Sequence, residues 1–513
     1  MLLADVAATS EALAATRSRL AKRALLVDLL RRTPPEEVPV VARYLAGELR
    51  QRRTGLGWRS LATLPEPATE PFLEVLAVDA AFEEMAGLAG AGSSTARTSL
   101  ARDLFAAATA PEQRLLRGLI TGDVRQGALD ALLLDAVAEA AGVPPEAVRR
   151  AAMLAGATEP VASAALGSGS PDAALAALAG FTLTVGRPVR PMLAASAPDV
   201  TTAVAGFAGH PVVVDAKLDG IRIQVHREGD DVRVFTRSLD DITSRVPELV
   251  AAVRGLPVQS AVLDGEALAL DEAGRPRPFQ ETSSRSATRD ADLATATELR
   301  PFFFDVLHID GRDLMAAPLL ERLAVLDAVA GRHVVERVTT DDAAEAQAAF
   351  TRWVAAGQEG VIVKDAAAPY EAGRRGSAWV KVKPRHTLDL VVLAVERGSG
   401  RRSGLLSNIH LGARNLEGGF VMLGKTFKGM TDEMLAWQTE RFRELAVADD
   451  GWTVHLRPEQ VVEIAFDGLQ RSTRYPGGLA LRFARVLRYR EDKTAAEADT
   501  IDMVRALAPT TGT

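Results

Sequence analysis

The chain has 513 residues, of which 47% are hydrophobic and 25% charged, with no cysteine and a formal net charge of −7. This length and composition predict a globular protein of about three domains. The lack of cysteine excludes disulfides, thiolate zinc sites, iron–sulfur clusters and cysteine nucleophiles, and it fits a reducing cytoplasm. No stretch approaches the ~18 uncharged apolar residues of a membrane span, so we expect a cytoplasmic protein with no membrane partner.

Positive charge is concentrated in three segments, although the chain as a whole is acidic. Residues 17–59 hold 11 basic and 4 acidic residues, residues 371–402 hold 8 and 3, and residues 471–493 hold 7 and 2. Taken alone, the positive charge of each segment also fits the solvent-exposed face of a helix. The three together also fit a polyanion that is bound at three places.

Residues 1 to about 165 are predicted to be helical, because alanine and leucine dominate and apolar residues recur at helical spacing. Glycine and proline interrupt this region, and GSGSP at residues 167–171 is typical of a turn or linker. From about residue 187 the apolar period changes to that of strands mixed with helices. After about residue 390, short strands alternate with glycine-rich turns, a pattern typical of a small barrel or sandwich.

Lysine is rare in this chain, since it accounts for only eight of the 60 basic residues. Arginine does not deprotonate in proteins and cannot act as an amine nucleophile, whereas lysine can. Some of the few lysines are therefore expected where arginine cannot replace them. Three of the eight fall between residues 364 and 383, which predicts chemistry in the middle of the chain.

A first candidate motif surrounds Lys425. Residues 419–426 (GFVMLGKT) match the P-loop pattern GxxxxGK[ST], but Phe-Val-Met-Leu at the phosphate-wrapping positions is typical of a strand. Gly429 would also interrupt the helix that a P-loop requires after its lysine. We therefore predict an edge strand here, with Lys425 and Lys428 facing solvent or a polyanion.

Lys217 is the stronger candidate, because residues 217–222 (KLDGIR) lie between two predicted strands. Alone, these residues also fit a surface hairpin. The downstream sequence adds LDGE at 263–266, an apolar run at 304–307, EGVIVK at 359–364 and WVKVK at 379–383. A lysine nucleophile, strand-borne carboxylates and two lysines at i and i+2 suit phosphoryl chemistry, in which carboxylates hold Mg²⁺ and cations stabilise oxygen charge.

These motifs, in this order, resemble those of the covalent nucleotidyltransferases, and most closely the ATP-dependent DNA ligases. The core of the resemblance spans about 170 residues and extends to residues 187–193 before it. GDVRQG at residues 122–127 and residues 423–431 also resemble segments of the family. Residues 482–493 resemble its motif VI, except that Ala484 stands where members usually have proline.

The resemblance implies an all-α DNA-binding domain at residues 1–186, an α+β adenylation domain with antiparallel sheets at 187–389, and an OB-fold β-barrel at 390–513. It implies a monomeric enzyme that uses ATP and Mg²⁺ to seal nicks in double-stranded DNA during replication, repair or recombination. A lysine would take AMP from ATP and pass it to a 5′-phosphate, which the neighbouring 3′-hydroxyl would then attack. The sequence identifies no protein partner.

The same resemblance implies the roles of single residues. Lys217 would be the nucleophile that becomes lysyl-AMP, Glu359 would bind metal, and Glu266 would bind ribose or metal. The other residues expected at the nucleotide are Asp215 beside adenine, Phe304 against its ring, Arg222 and Arg237 at ribose and phosphates, and Arg375, Lys381 and Lys383 at the α-phosphate. The arginines of motif VI would orient pyrophosphate when the C-terminal domain closes.

Other functions fit the motifs less completely. RNA ligases and capping-type nucleotidyltransferases share the core but leave the long helical region unexplained. NAD-dependent ligases typically carry a cysteine zinc finger, which this chain lacks. A non-catalytic nucleic-acid scaffold would not require intact charged motifs, and the P-loop ATPase reading ranks last.

Overall fold

The computed structural model describes residues 1–51, 54–124, 130–207, 209–272, 274–287, 298–371 and 375–507. In these residues a helical region is followed by two regions rich in strands. None of the described helices combines the length and the apolar character needed to cross a membrane.

The described N-terminal residues form ten α-helices around one apolar core, which includes residues from Leu3 to Leu178. The helices are α1 (Leu3–Ala15), α2 (Arg19–Arg32), α3 (Val38–Ala46), α4 (Val75–Gly87), α5 (Ser93–Ala107), α6 (Ala110–Thr121), α7 (Asp130–Ala141), α8 (Pro145–Ala155), α9 (Glu159–Leu166) and α10 (Pro171–Ala179). The predicted helical region is confirmed. Because α10 packs in the same core as α9, residues 167–171 form a turn within this region and not a linker between domains.

Two five-stranded sheets form the middle region. Their strands are β1 (Leu193–Ser196), β2 (Val212–Lys217), β3 (Ile221–Glu228), β4 (Asp231–Thr236), β5 (Ser260–Ala269), β6 (Leu299–Ile309), β7 (Arg312–Asp313), β8 (Arg337–Thr340), β9 (Gly360–Asp365) and β10 (Arg375–Val382). The strand orders are β1-β10-β9-β2-β8 and β4-β3-β5-β6-β7. All described pairs are antiparallel except β1 with β10, which confirms the predicted antiparallel sheets.

Helices cover both sheets. They are α11 (Val200–Ala205), α12 (Pro247–Arg254), α13 (Phe279–Ala287), α14 (Leu319–Ala330) and α15 (Ala343–Ala355). Helices α11 and α15 pack on the first sheet, and α12 and α14 on the second. A third cluster joins Met153 and Leu154 of α8 to Met192, Tyr370 and Trp379 of the middle region. The helical and middle regions therefore share apolar packing.

The chain passes from the first sheet to the second in the three residues between β2 and β3. Gly220 ends this connection, and a Cβ atom there would lie only 2.3 Å from the carbonyl oxygen of Ala267 on β5. A side chain at this position would collide with β5 and force the connection away from the second sheet. Glycine therefore allows Lys217, the last residue of β2, to lie where the sheets meet.

The C-terminal region contains strands β11 (His386–Arg397), β12 (Leu406–Arg414), β13 (Phe420–Thr426), β14 (Ala446–Asp449), β15 (Thr453–Leu456), β16 (Val461–Phe466), β17 (Gly468–Arg471), β18 (Leu479–Arg482) and β19 (Arg485–Arg490), with helices α16 (Asp432–Leu445) and α17 (Ile501–Ala506). Strand β11 pairs with β12, β15 and β16, and β17 pairs only with β18 among the described strands. The described pairings do not close into a barrel. The proposed boundary after residue 389 falls inside β11.

The predicted edge strand around Lys425 is confirmed. β13 lies at one end of the seven-stranded sheet and pairs only with β12 among the described strands. Lys425 forms an ion pair with Glu396 of β11, while Lys428 is exposed. The local structure therefore has no strand–loop–helix arrangement of the kind that binds phosphate in a P-loop.

The middle region is also held by a buried ion pair. The side chains of Arg322 on α14 and Asp305 on β6 are both 0% exposed, and Nε of Arg322 lies 2.7 Å from Oδ1 of Asp305. The guanidinium also donates to the carbonyl oxygen of Ala368 at 3.0 Å. The positive charge of the Arg322 guanidinium is therefore balanced by partners inside the protein.

We predict that Arg322→Ala lowers the free energy of unfolding by about 3–5 kcal/mol, because Asp305 would be left buried without its partner. Urea unfolding measures this change. Arg505→Ala is the control, since its ion pair with Asp502 is exposed and should contribute less than about 1 kcal/mol. Equal losses in the two variants would contradict the prediction.

Candidate active site

Lys217 and Glu359 face each other at the ends of neighbouring strands. Lys217 ends β2, Glu359 precedes β9, and their side chains form an ion pair. The backbone amide of Glu359 also donates to the carbonyl oxygen of Lys217 at 2.8 Å. Gly360 follows with a φ of +143°, and a Cβ atom there would lie 2.2 Å from the carbonyl oxygen of Val382. Glycine therefore allows β10 to approach this pair closely.

Glu359 bridges two lysines, because it also forms an ion pair with Lys383 just beyond β10. Burial opposes the charge on Lys383, but the carboxylates of Glu359 and Asp467 outweigh it and raise the pKa of the ammonium group. Lys381 is half-buried two residues earlier, on β10. The predicted strand therefore holds Lys381 and ends just before Lys383.

Glu266 lies on β5, in register with Arg222 on β3. Burial raises the pKa of Glu266 to about 7, although the charges of Lys217 and Arg222 act in the opposite direction. The negative charge of Glu359 adds to this rise in the pKa of Glu266, so the two carboxyl groups interact electrostatically. Together they could hold a divalent cation.

The described residues contain no group of three or more metal-ligating side chains. Two carboxylates nevertheless fit Mg²⁺, which in proteins is usually held by one or two carboxylates together with substrate phosphates and water. The donor set is therefore that of a metal that binds with a polyphosphate.

Asp215 and Lys364 form a second buried pair beside Lys217. Nζ of Lys364 lies 2.5 Å from Oδ2 of Asp215, and the two residues are only 1% and 2% exposed. The ammonium also donates to the carbonyl oxygen of Phe304 at 3.0 Å and lies 4.8 Å from the Phe304 ring centroid and 4.4 Å from that of Trp379. Burial raises the pKa of Asp215 despite this partner.

Lys364 was absent from the predicted site residues, although its motif was recognised. The signal for it was present, because a lysine inside the apolar strand 361–364 of a lysine-poor chain requires a buried partner. The partner itself, Asp215, lies far away in sequence and was visible only once β2 and β9 were paired.

Arg222 is held by a network of its own. Its Nε and Nη2 donate to the two oxygens of Asp264 at 3.1 and 2.7 Å, and its Nη1 donates to the carbonyl oxygen of Met192 at 2.7 Å. The hydroxyl of Tyr370 donates to Asp264 at 2.6 Å. In this structure Arg222 therefore joins three segments, and its guanidinium lies over the Phe304 ring at 5.4 Å.

Two predicted residues lie apart from this cluster or cannot be placed. Arg237 lines a cavity of about 1330 Å³ between the helical and middle regions, together with Arg19, Arg43, Arg149 and Arg190. The side chain of Arg375 lies outside the described residues, as do residues 125–127 of the GDVRQG segment.

The C-terminal region contacts the cluster through charged groups. Nη1 of Arg482 donates to Asp219, which follows Lys217 by two residues, at 2.7 Å. Asp467 lies 3.3 Å from Lys383 and 3.2 Å from Arg485. The resemblance anticipated arginines here, whereas nothing in the local sequence pointed to Asp467.

The backbone around Ala484 departs from regular geometry. Phe483 has a φ of +55°, in the left-handed region that disfavours a bulky side chain, and it is 56% exposed. Ala484 is buried, and its carbonyl oxygen accepts a hydrogen bond of 2.5 Å from the hydroxyl of Thr426. The arginines on either side form ion pairs, Arg482 with Asp219 and Arg485 with Asp467.

Comparisons with known proteins agree with this geometry. Residues 191–383 match the profile of the ATP dependent DNA ligase domain, and residues 402–493 match that of the ATP dependent DNA ligase C terminal region. A probable DNA ligase of Beutenbergia cavernae is 73% identical over 510 residues, which cover 99% of this chain and 100% of the relative. A probable DNA ligase of Kineococcus radiotolerans is 63% identical over 513 residues, with 99% and 100% covered.

Among solved structures, the fold is similar to that of a protein described as Pmar-Lig_PreS3. The TM-score is 0.64 and the sequence identity 18%, over 94% of this chain and 99% of the other. At this identity the similarity concerns the fold alone.

The raised pKa of Glu266 predicts a pH dependence of stability. Between about pH 5 and 7 the folded protein keeps a proton on Glu266 that the unfolded chain has lost, so the wild type loses stability as the pH rises. Glu266→Gln cannot titrate. Its free energy of unfolding relative to the wild type should therefore increase across this window by about 1–2 kcal/mol and level off above it. Urea unfolding at a series of pH values measures the difference, and a constant difference would rule out the assigned pKa.

Proposed function

Since the chain belongs to the ATP-dependent DNA ligases and is an enzyme that seals nicks in DNA, we propose that Lys217 is the nucleophile of its adenylation step. The observation that carries this assignment is the position of Lys217 at the junction of the two sheets, where Glu359 pairs with both Lys217 and Lys383. Lys425, the competing lysine, is bound to Glu396 on another sheet.

In the first step, Nζ of Lys217 forms a bond to the α-phosphorus of ATP and loses a proton. The bond from that phosphorus to the bridging oxygen breaks, and pyrophosphate leaves with the electron pair. In the second step, an oxygen of the 5′-phosphate attacks the same phosphorus, and Nζ regains a proton as it leaves. In the third, the oxygen of the 3′-hydroxyl bonds to the 5′-phosphorus and loses its proton to solvent, and AMP departs with the electron pair of the bond that breaks.

The side chains around Lys217 have distinct proposed roles. Asp215 and Lys364 form the polar wall beside adenine, and the ring of Phe304 packs against the base. Lys381 and Lys383 would stabilise the α-phosphate, together with Arg375, because cations placed at developing oxygen charge lower the barrier. Arg222, which is held by Asp264, would act by packing against the ring of Phe304. Arg237 would contact the DNA near the nick.

Mg²⁺ would be held by Glu359 and Glu266 together with the phosphates of ATP. When bound, the ion would polarise the α-phosphate and balance its charge. Glu359 would then exchange its lysine partners for the metal, which frees the amine of Lys217. The raised pKa of Glu266 fits a carboxyl group that is charged only when a cation accompanies it.

We assign residues 1–186 to a DNA-binding domain, 187–389 to an adenylation domain and 390–513 to an OB-fold domain of a monomeric ligase. Strand β11, shared between three partner strands, supports an OB-type topology for the last of these. Closure of this domain would bring Arg482 and Arg485 to the pyrophosphate, since Arg482 already contacts Asp219.

The basic segment at residues 17–59 supports DNA binding less strongly than its charge suggests. Lys22 is buried, and Arg23, Arg32, Arg43 and Arg50 all form ion pairs with carboxylates. Arg17 and Arg19 are exposed at the start of α2. These two arginines are therefore our candidates for contacts with DNA phosphates.

Replacement of the nucleophile tests the central assignment. Lys217→Arg keeps the positive charge but cannot lose a proton at neutral pH, so it should form no covalent protein–AMP with α-labelled ATP. A denaturing gel measures the retained label. Lys425→Ala is the control and should adenylate at close to the wild-type rate. Label on Lys217→Arg, or its loss in Lys425→Ala, would refute the assignment.

Replacement of Arg17 and Arg19 by glutamine tests the DNA-binding role of the helical domain. Each phosphate contact contributes about 0.9 to the slope of log K against log salt concentration, so loss of both should reduce the slope by up to about 2. Binding to nicked duplex at several salt concentrations gives the slope. Arg505→Gln, at the C-terminal helix, should leave it unchanged. An unaltered slope in the double variant would place the DNA contacts elsewhere.

A further inference from the structure

The carboxylate of Asp467 joins two domains. It directly follows β16, and its Oδ2 lies 3.3 Å from Nζ of Lys383 in the adenylation domain. Its Oδ1 lies 3.2 Å from Nη1 of Arg485, on β19 of the C-terminal domain. A single carboxylate thus holds one cation from each side of the interface, and one of these cations is expected at the α-phosphate.

The backbone fixes this carboxylate in place. The amide of Asp467 donates to the carbonyl oxygen of Arg482 at 3.0 Å, and the preceding Phe466 pairs with His386 at the start of β11. Asp467 therefore lies between the strand that enters the C-terminal domain and the arginine that contacts Asp219. Its side chain is 22% exposed, so it is neither fully solvated nor isolated in the core.

Lys383 consequently has a carboxylate from each domain. Glu359 belongs to the proposed metal site, and it would leave Lys383 when a metal and a triphosphate bind. Asp467 has no such second role, so it would remain as the fixed partner that directs Lys383. Arg485 would be oriented by the same carboxylate, on the side where Arg482 covers the cleft.

We propose that Asp467 is a positioning residue for lysine adenylation, which aligns Lys383 with the α-phosphate and Arg485 with the departing pyrophosphate. The inference rests on the proposed function of Lys217, because it concerns the same step. Asp467 takes no part in the bond changes. In these, Nζ of Lys217 bonds to the α-phosphorus and pyrophosphate leaves. It acts by holding the two domains in the arrangement that this step requires.

The later steps should not depend on Asp467. A nick has to occupy the cleft when its ends are joined, and the contacts of Asp467 and Arg482 hold the C-terminal domain over that same cleft. These contacts therefore belong to the step that precedes DNA binding. A merely structural ion pair of this exposure would contribute little and would affect all steps alike.

The test compares two steps in the full-length Asp467→Asn protein. One assay follows protein–AMP formation from α-labelled ATP over a range of ATP concentrations, and the other follows joining of a nick whose 5′ end already carries AMP, without ATP. We expect adenylation to slow by about tenfold or more, equivalent to about 1.4 kcal/mol of transition-state stabilisation. Joining of the pre-adenylated nick should stay within about threefold of the wild type.

Glu396→Gln is the matched control. Glu396 also lies in the C-terminal domain, is 14% exposed and binds a lysine, Lys425, together with His410. Its partners all lie within that domain, so both assays should remain at wild-type rates. Asp467→Glu keeps the negative charge and should recover most of the adenylation rate.

Three results would overturn the inference. They are equal losses in both assays, wild-type adenylation by Asp467→Asn, and an Asp467→Glu variant as slow as Asp467→Asn. Failure of the proposed function would give a different result. The wild type would form no protein–AMP, or Lys217→Arg would still form it. An active wild type with an unaffected Asp467→Asn counts against Asp467 alone.

Discussion

The cations proposed to meet a triphosphate have to be held in place before it arrives, and in this protein carboxylates hold them. The pairs are Lys217 and Lys383 with Glu359, Lys364 with Asp215, and Arg222 with Asp264. Several like charges at short range in a poorly solvated cleft would otherwise repel one another and bear the cost of desolvation. The carboxylates lie on β2, on β5 and just before β9, so the same contacts that balance the charge also hold these strands around the cleft.

This arrangement shapes the proposed chemistry. In the proposed mechanism, a polyphosphate that enters the cleft would take the place of Glu359 as the partner of Lys217 and Lys383. The exchange is most direct at Glu359, which would release two lysines and take a metal ion. Ligand binding and activation of the nucleophile would then be one event, and the enzyme would not expose a free amine beforehand.

Much of the site was predictable from the sequence because its signals are local. The scarcity of lysine and the KLDGIR motif indicated Lys217, and the alternation in WVKVK predicted strand β10, which holds Lys381 and ends just before Lys383. The strand-like residues before Lys425 correctly excluded a phosphate-binding loop. The helical region and the antiparallel sheets followed from apolar periodicity in the same way.

What the sequence did not reveal depends on contacts between distant segments. Asp264 lies 42 residues from Arg222, and Asp467 lies 84 residues from Lys383, so neither partner has a local signature. Counting charges in residues 17–59 likewise did not reveal that Lys22 is buried or that Arg23, Arg32, Arg43 and Arg50 pair with carboxylates. The alternation of short strands and turns predicted a small barrel or sandwich, but this pattern does not determine whether the first and last strands meet.

The apolar cluster that joins the helical domain to the adenylation domain has a thermodynamic consequence. Met153 and Leu154 of α8 share it with Trp379, and Trp379 lies against the lysine proposed at the base. If duplex DNA moves α8, the packing around Trp379 changes, and the affinity for ATP changes with it. Linkage then requires the nucleotide to alter the affinity for DNA by the same factor. The occupancy of the two substrates would be coupled through a few side chains that touch neither of them.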